Sequence, residues 1–241
     1  MRAETRRQLK QDKFSRTTLQ VAEQTVHWSA EHKGKLLAGV VIALVVIAGA
    51  LGAWYYLSAQ DEKASIEFTK AVQTLNAPIR PTGMPPQPDL LSFASAQERA
   101  TEAHKQFQAI ADKYPHTRAG DYARYFLGVT SSQFGDFAAA ERELKSVSEI
   151  RNSDLSSLAK MALASVYRNT GRTKEAVDLY KALIADPTRT VGKPTAQIQL
   201  AETYEAAGMN ADAKKLYEQI QKESPQTEAA QIASARLQEL K

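Results

Sequence analysis

The most apolar part of the chain is a run of 22 uncharged residues at positions 36–57, LLAGVVIALVVIAGALGAWYYL. As an α-helix this run would be about 33 Å long, which matches a bilayer hydrocarbon core of about 30 Å. A core helix of a soluble protein would keep a polar stripe, and this run has none. The pattern therefore predicts a transmembrane helix. The alternative is a cleavable signal peptide, whose apolar core is usually only about 7–15 residues long.

Beyond this run, apolar residues recur at helical spacing, and one pattern returns every 36 or 37 residues. Gly135, Gly171 and Gly208 each separate two helical stretches. In the helix after each glycine, an alanine is followed four residues later by Leu or Tyr: Ala140 and Leu144, Ala176 and Tyr180, Ala213 and Tyr217. Glycine can adopt the left-handed conformation that ends a helix. Alanine lets two helices approach closely, and the larger residue fills the space between them. The pattern predicts a stack of helix pairs.

The segments around these repeats have their own patterns. Residues 58–76 are helix-like and would form a membrane-proximal helix. Residues 77–94 hold five of the nine prolines and are expected to form an extended, stiff linker. We favour this over the alternative that Pro85-x-x-Pro88 is a polyproline ligand. The repeat domain would occupy residues 95–241 and fold without the anchor, with residues 227–241 as a capping helix.

Several helix starts carry residues that cap helices. Ser95 and Glu98 form a capping-box pattern. Asp136, Thr173 and Asn210 follow the three repeat glycines and are predicted to cap the second helix of each pair.

The order of Leu, Gly, Ala, aromatic and Pro resembles the tetratricopeptide repeat, over about residues 95–241. The spacing exceeds the usual 34 residues, and the first-helix tryptophan is missing. The resemblance implies an all-α fold, in which the N-terminal transmembrane helix precedes a right-handed α-solenoid of helix pairs. It also implies a concave groove lined by the first helix of each pair. We call the residues expected there the eight groove residues: Tyr122, Tyr125, Ser132, Met161, Arg168, Asn169, Glu202 and Glu205. Tyr125 and Arg168 are the expected anchors, because Tyr and Arg often dominate binding energy.

Charge is distributed unevenly along the chain. The net charge is +4, and residues 1–35 hold eight of the 31 Lys and Arg but only four of the 27 acids. The basic excess therefore lies entirely in this tail, which should remain in the cytoplasm while the C-terminal part crosses the membrane. Because the remaining chain is neutral overall, nucleic acid is not an expected partner.

The sequence offers little catalytic chemistry. It has no cysteine, and its four histidines are scattered at His27, His32, His104 and His116. It also lacks a glycine-rich phosphate loop, an HExxH motif and a GxSxG motif. We therefore expect no catalytic residue, no cofactor and no metal site. A small-molecule sensor or enzyme that uses the groove is the alternative.

The whole-chain organisation resembles the ancillary subunit of the bacterial Sec translocon (the YfgM-like family). This resemblance implies a scaffold with one span in the bacterial inner membrane, a cytoplasmic N-terminus and a periplasmic C-terminal domain. Its partners would be cell-envelope proteins, such as the translocon or periplasmic chaperones, and residues 36–57 would contact the bilayer. The Tyr-Pro-His-Thr run at 114–117 is similar to repeats of outer-membrane-assembly and cell-division adaptors, which are the alternative. The sequence leaves open the partner, the oligomeric state, a partner for the tail, and whether residues 58–76 pack into the solenoid.

Overall fold

A computed structural model describes residues 33–85, 87 and 90–240. Within these residues the chain forms nine α-helices and no β-strand. The helices are α1 (Lys33–Leu75), α2 (Ala96–Lys113), α3 (Arg118–Gln133), α4 (Phe137–Ser148), α5 (Ser153–Asn169), α6 (Thr173–Ala185), α7 (Lys193–Ala206), α8 (Asn210–Glu223) and α9 (Glu228–Glu239). The chain divides into two compact units between Ser58 and Ala59. Residues 1–32 of the predicted tail, including His27 and His32, and Pro88 lie outside the described residues.

The described part of the first unit is the N-terminal portion of α1. From Leu37 to Leu57 its large apolar side chains are exposed, by between 45% at Leu57 and 73% at Tyr55. One helix of the described chain, over Leu37–Leu75, is long and apolar enough to cross a membrane, with a mean hydropathy of 2.5 in its most apolar part. After Lys35 the next charge on this helix is Asp61. The uncharged part therefore includes the predicted span at 36–57.

The second unit is a row of helices in which each of α2 to α9 packs against the next. Alternate helices also meet, because α3 contacts α5, α5 contacts α7, and α7 contacts α9. The pairs are therefore α3–α4, α5–α6 and α7–α8, with α9 closing the stack. We call α3, α5, α7 and α9 the A helices.

Residues 59–75 of α1 form a further helix pair with α2. Ala64 and Ala71 are fully buried, in the same core cluster as Phe107. The ring centroid of Phe68 lies 5.9 Å from that of Phe107 and 5.8 Å from that of Phe126 on α3. This answers the question that the sequence left open, because the membrane-proximal segment packs into the repeat stack.

Polar contacts attach the same segment to the turn between α2 and α3. Glu67 accepts hydrogen bonds from Lys113 Nζ and Tyr114 Oη, both at 2.8 Å. These two bonds lower the pKa of Glu67. Asp61 Oδ1 accepts a bond of 2.9 Å from the backbone N–H of Arg118, at the start of α3. The Tyr-Pro-His-Thr run thus contributes Tyr114 to the packing of the first pair.

The proline-rich segment is a closed loop rather than the expected extended linker. The N–H of Arg80 donates to Phe93 O at 2.7 Å, and the N–H of Phe93 donates to Pro78 O at 3.1 Å. Arg99 Nη1 donates to Ala77 O at 2.9 Å. Phe93 is only 8% exposed, so its burial brings the far end of the segment back to its start. The expectation of an extended linker was wrong, because proline stiffness does not prevent the two ends from pairing.

The glycine turns have the predicted conformation. The φ angles of Gly135, Gly171 and Gly208 are 80°, 75° and 72°. This is the left-handed region, where a side chain would be strained. The predicted capping box at α2 is present in part, because Ser95 Oγ accepts from the N–H of Glu98 at 3.0 Å, whereas Glu98 Oε2 accepts from the N–H of Ala94 at 2.7 Å and not from that of Ser95.

The predicted caps after the glycines are only partly correct. Asp136 caps α4, because its Oδ1 accepts from the N–H of Ala139 at 3.0 Å. The predictions that Thr173 and Asn210 cap helices were wrong, since each is the first residue inside its helix. The turn fixes the capping position directly after the glycine, where the other two pairs carry Arg172 and Met209. Neither of these makes a side-chain capping bond.

Candidate functional site

The structure places the eight groove residues on three A helices that contact one another in order. They are Tyr122, Tyr125 and Ser132 on α3, Met161, Arg168 and Asn169 on α5, and Glu202 and Glu205 on α7. Tyr122 and Asn169 are exposed, and the other six are half-buried. The row therefore presents side chains that a partner can reach, and it does so on the elements that the repeat pattern indicated.

The two tyrosines of α3 have different surroundings. Tyr122 is 37% exposed, and its ring centroid lies 6.0 Å from that of Phe68. Tyr125 is half-buried against the central core cluster and lies edge-on to Phe126, with 5.3 Å between ring centroids. Burial raises the pKa of Tyr125. Tyr122 is therefore the better candidate for an aromatic contact, while Tyr125 also stabilises the fold.

Arg168 is at the centre of a polar cluster between α5 and α7. Its Nη1 lies 3.6 Å from Glu202 Oε2 and 3.4 Å from Gln199 Oε1. Gln199 in turn donates to Glu202 Oε2 at 3.0 Å. Both Arg168 distances exceed the usual 2.7–3.2 Å, and a guanidinium has five N–H donors. Arg168 therefore retains donors for a partner. Sequence reasoning missed Gln199, although it lies three residues before Glu202 on the same helix face.

Two buried tyrosines of the second helices lie close to these charges. Tyr180 is fully buried, and its hydroxyl has no hydrogen-bond partner among the residues that the structure describes. Burial raises the pKa of Tyr180 to about 12. Tyr217, one repeat later, donates to Glu205 Oε2 at 3.1 Å. Burial is the main cause that raises the pKa of Tyr217, and the bond to Glu205 is the second. Glu205 is thus already used within the protein, which makes the predicted acidic end of the groove less available.

A cleft of about 410 Å³ lies between α7 and the start of α9. Five residues of α7 and four from positions 227–232 line it: Pro194, Thr195, Ile198, Gln199, Glu202, Thr227, Glu228, Ala229 and Ile232. Sequence reasoning placed Ile198 and Glu202 on inward positions but treated α9 only as a cap. The side of the cleft formed by α9 was therefore missed.

The histidines do not assemble a reactive site among the described residues. His104 Nδ1 lies 2.8 Å from Thr130 Oγ1, and its ring packs edge-on against Phe134. Burial lowers the pKa of His104. In the part of the chain that the structure describes, no group of three or more His, Asp or Glu side chains could hold a metal ion. What the described residues do offer is a row of aromatic, charged and apolar groups suited to binding.

Comparison with known proteins identifies the repeat type. The sequence model of the tetratricopeptide repeat-like domain matches residues 26–182, and that of the tetratricopeptide repeat matches residues 195–227. No curated protein sequence matches the chain significantly.

Two similar solved structures support the fold. They are a Podosopora anserina protein described as a kinesin light chain with nearly identical TPR-like repeats, and a single-residue variant of it. Both have a TM-score of 0.55 and 17% identity, and both cover 75% of this chain. The matches span 86% of the first protein and 85% of the variant. At this identity the likeness concerns the fold alone, and it confirms the predicted all-α solenoid of TPR-like helix pairs.

Proposed function

The chain belongs to the tetratricopeptide repeat-like domain family, and on that premise we propose that it is a membrane-anchored scaffold that binds proteins through the groove of its A helices. The row of A helices carries this proposal, because it exposes Tyr122, the spare donors of Arg168 and the α7–α9 cleft along one series of contacting helices. Aromatic and Arg side chains of this kind often supply most of the energy of an interface. The proposed activity is binding rather than catalysis.

Anchoring is supported by the first unit. Its apolar side chains are exposed from Leu37 to Leu57, which is favourable in lipid and unfavourable in water. The basic excess of residues 1–35 favours a cytoplasmic N-terminus. We propose a single span in the bacterial inner membrane, with the repeat domain in the periplasm.

The proposed partners are cell-envelope proteins, with the Sec translocon or periplasmic chaperones first among them. This part rests on the architectural resemblance. The rival adaptor role in outer-membrane assembly or cell division rested on the Tyr-Pro-His-Thr run. Tyr114 of that run bonds to Glu67, and Thr117 Oγ1 caps α3 by accepting from the N–H of Gly120 at 3.0 Å. A structural role accounts for both residues, so the run no longer favours the rival.

The topology can be tested in spheroplasts of cells that express the full chain with an N-terminal epitope tag. We expect added protease to degrade the repeat domain and to leave a short tagged fragment, because residues 58–241 would be outside and the tail inside. Immunoblotting for the tag and for the C-terminal domain measures this. Lysed spheroplasts, in which both parts are digested, are the control. Loss of the tag with survival of the repeat domain would reverse the topology.

The groove can be tested with the double variant Tyr122→Ala/Arg168→Ala. We expect capture of the main envelope partner to fall tenfold or more, while the melting temperature changes by only a few degrees, because Tyr122 is exposed and the ion pair of Arg168 is long. Tyr125→Ala is less suitable, since it would also remove core packing.

The measurement is quantitative co-purification from detergent extract. The matched control is Arg142→Ala/Lys181→Ala, which removes exposed cations from α4 and α6 on the other row of helices. If the partner remains bound to the groove variant, or is lost equally from the control, the groove is not its binding site.

A further inference from the structure

We propose that the cleft between α7 and α9 binds a Lys or Arg side chain that is flanked by an aliphatic side chain in an extended segment of a partner protein. This inference rests on the proposed function, and it adds the chemical class of the segment that the C-terminal end of the groove selects.

The shape of the cleft suits one or two side chains. Its volume of about 410 Å³ lies in the lower part of the range of about 300–1,000 Å³ for ligand sites in proteins. Ile198, which is 6% exposed, and Ile232, which is 37% exposed, give the cleft an apolar lining. An aliphatic side chain placed between them would remove apolar surface from water on both sides.

The charge of the cleft is negative. Glu202 and Glu228 line it, and no Lys or Arg does. Glu228 has no ion-pair partner among the described residues. Lys193 is next to the lining residue Pro194 in sequence, but its Nζ lies 2.9 Å from Glu223 Oε2 and is used there. The cleft therefore combines two carboxylates with apolar walls.

The other neighbouring cation neutralises this charge only in part. Arg168 lies 3.6 Å from Glu202, a long contact for an ion pair, and it does not line the cleft. On α9, Arg236 is paired with Glu239 at 2.9 Å. A partner cation would therefore gain most from Glu228.

A Lys or Arg side chain matches both features at once. Its methylene stem can lie on apolar surface while its charged end stays near water and carboxylates. Charge complementarity of this kind selects partners and increases the association rate, and salt weakens it. An acidic segment would be repelled, and a purely apolar segment would leave Glu228 without a counter-ion and Glu202 with only its long contact to Arg168.

The test is an affinity selection on the full chain in detergent micelles, with a phage-displayed library of random 12-residue peptides as the probe. We expect the selected peptides to be enriched in Lys or Arg next to Leu, Ile, Val or Met, and their affinity to fall with added salt. In Glu228→Gln/Ile232→Ser, their affinity should fall tenfold or more. The matched control is Glu218→Gln on α8, an exposed carboxylate outside the cleft that should leave binding unchanged.

A second variant keeps the test valid if the first is poorly folded. Glu228→Lys changes one exposed side chain in the first turn of α9 and should shift the selection from basic to acidic peptides. Circular dichroism of each variant checks that the helices persist. If the preferred charge of the peptides reverses when the charge of residue 228 is reversed, the selected side chain binds at the cleft.

Several results would overturn the proposal. Enrichment of acidic or uncharged apolar peptides would contradict the chemistry, and so would an unchanged preference in Glu228→Lys. If basic peptides bind but depend only on Tyr122 and Arg168, the groove is the binding site and the cleft is not. The proposed function would also be contradicted if the affinity of the peptides is unchanged in both the groove and the cleft variants, or if no peptide is enriched. A change of oligomeric state in the cleft variant would assign the cleft to a second copy of this chain.

Discussion

A fragment that begins at Ser95 should unfold with a free energy on the order of 5 kcal/mol lower than a fragment that begins at Ala59. The reason is the packing of residues 59–75 against α2 and α3. Without them, the fully buried ring of Phe107 loses its contact with Phe68 and is partly exposed, as is Phe126. Fully burying a large apolar side chain is worth about 1.5–3 kcal/mol, and the loss is shared by several such groups. A domain of ordinary stability, about 5–15 kcal/mol, would be marginal after this change.

Urea denaturation followed by circular dichroism measures the difference between the two fragments, both of which lack the apolar run. A third fragment, residues 59–241 with Phe68→Ala, should have intermediate stability, since it keeps the Glu67 and Asp61 contacts but loses one ring. Equal stability of the fragments that begin at 59 and 95 would mean that residues 59–75 contribute nothing to folding. The original expectation of an independent domain from residue 95 would then hold.

Gly120→Ala should cost about 3 kcal/mol or more of unfolding free energy. A Cβ atom at this position would lie 2.0 Å from Tyr114 O and 3.2 Å from Thr117 Oγ1. The first of these is a backbone atom in the turn between α2 and α3, so the helix itself would have to move. Overpacking usually costs about 1–3 kcal/mol, and more where the backbone must shift. This outweighs the gain of about 1 kcal/mol from replacing glycine by alanine within a helix.

Gly128→Ala is the matched control on the same helix. Its Cβ would lie 2.6 Å from Leu144 Cγ and 3.3 Å from Leu144 N, so the buried side chain of Leu144 must shift, whereas the backbone must move by only a few tenths of an ångström. Two later repeats carry Ala164 and Ala201 at the equivalent position, both fully buried. We therefore expect a smaller cost for Gly128→Ala, about 1 kcal/mol, by the same urea measurement. A reversed order of the two variants would show that the turn at Tyr114 is not tightly packed.

The parts of the fold that were predictable are those with short-range causes. Gly135, Gly171 and Gly208 end helices through their own backbone preference, and the alanine that follows each of them lies in the same helix as its Leu or Tyr partner. Because these local features recur every 36 or 37 residues, the repeat can be recognised from the sequence alone.

The first pair follows that period only in its second helix, where Ala103 and Phe107 lie 37 residues before Ala140 and Leu144, so its first helix was not recognised as part of the stack. Its two helices are joined by a closed loop instead of a glycine turn, and the bond between Glu67 and Lys113 joins residues 46 positions apart. Helical spacing shows which face of residues 59–75 is apolar, yet it does not say what that face packs against. The buried alanines at Ala64 and Ala71 are too small to stand out as core positions.

The sequence predicted which helices carry the candidate site residues, but it predicted less well what each side chain does there. The repeat pattern placed Arg168 and Glu202 on alternate helices, and these helices meet in the structure. The distance between their charges, the bond from Gln199 and the burial of Tyr125 depend on rotamers and on packing between repeats. These quantities have no signature in a single sequence.

The closed loop between Arg80 and Phe93 makes this protein easy to label without disturbing its helices. Because backbone hydrogen bonds already pair the two ends of the loop, the distance between α1 and α2 does not depend on how many residues lie between those ends. Lengthening a loop whose ends stay paired costs little, since closure entropy grows only slowly with length. Gln87, near its middle, is exposed. An epitope or a small fluorescent domain inserted there would report on the repeat domain in intact cells.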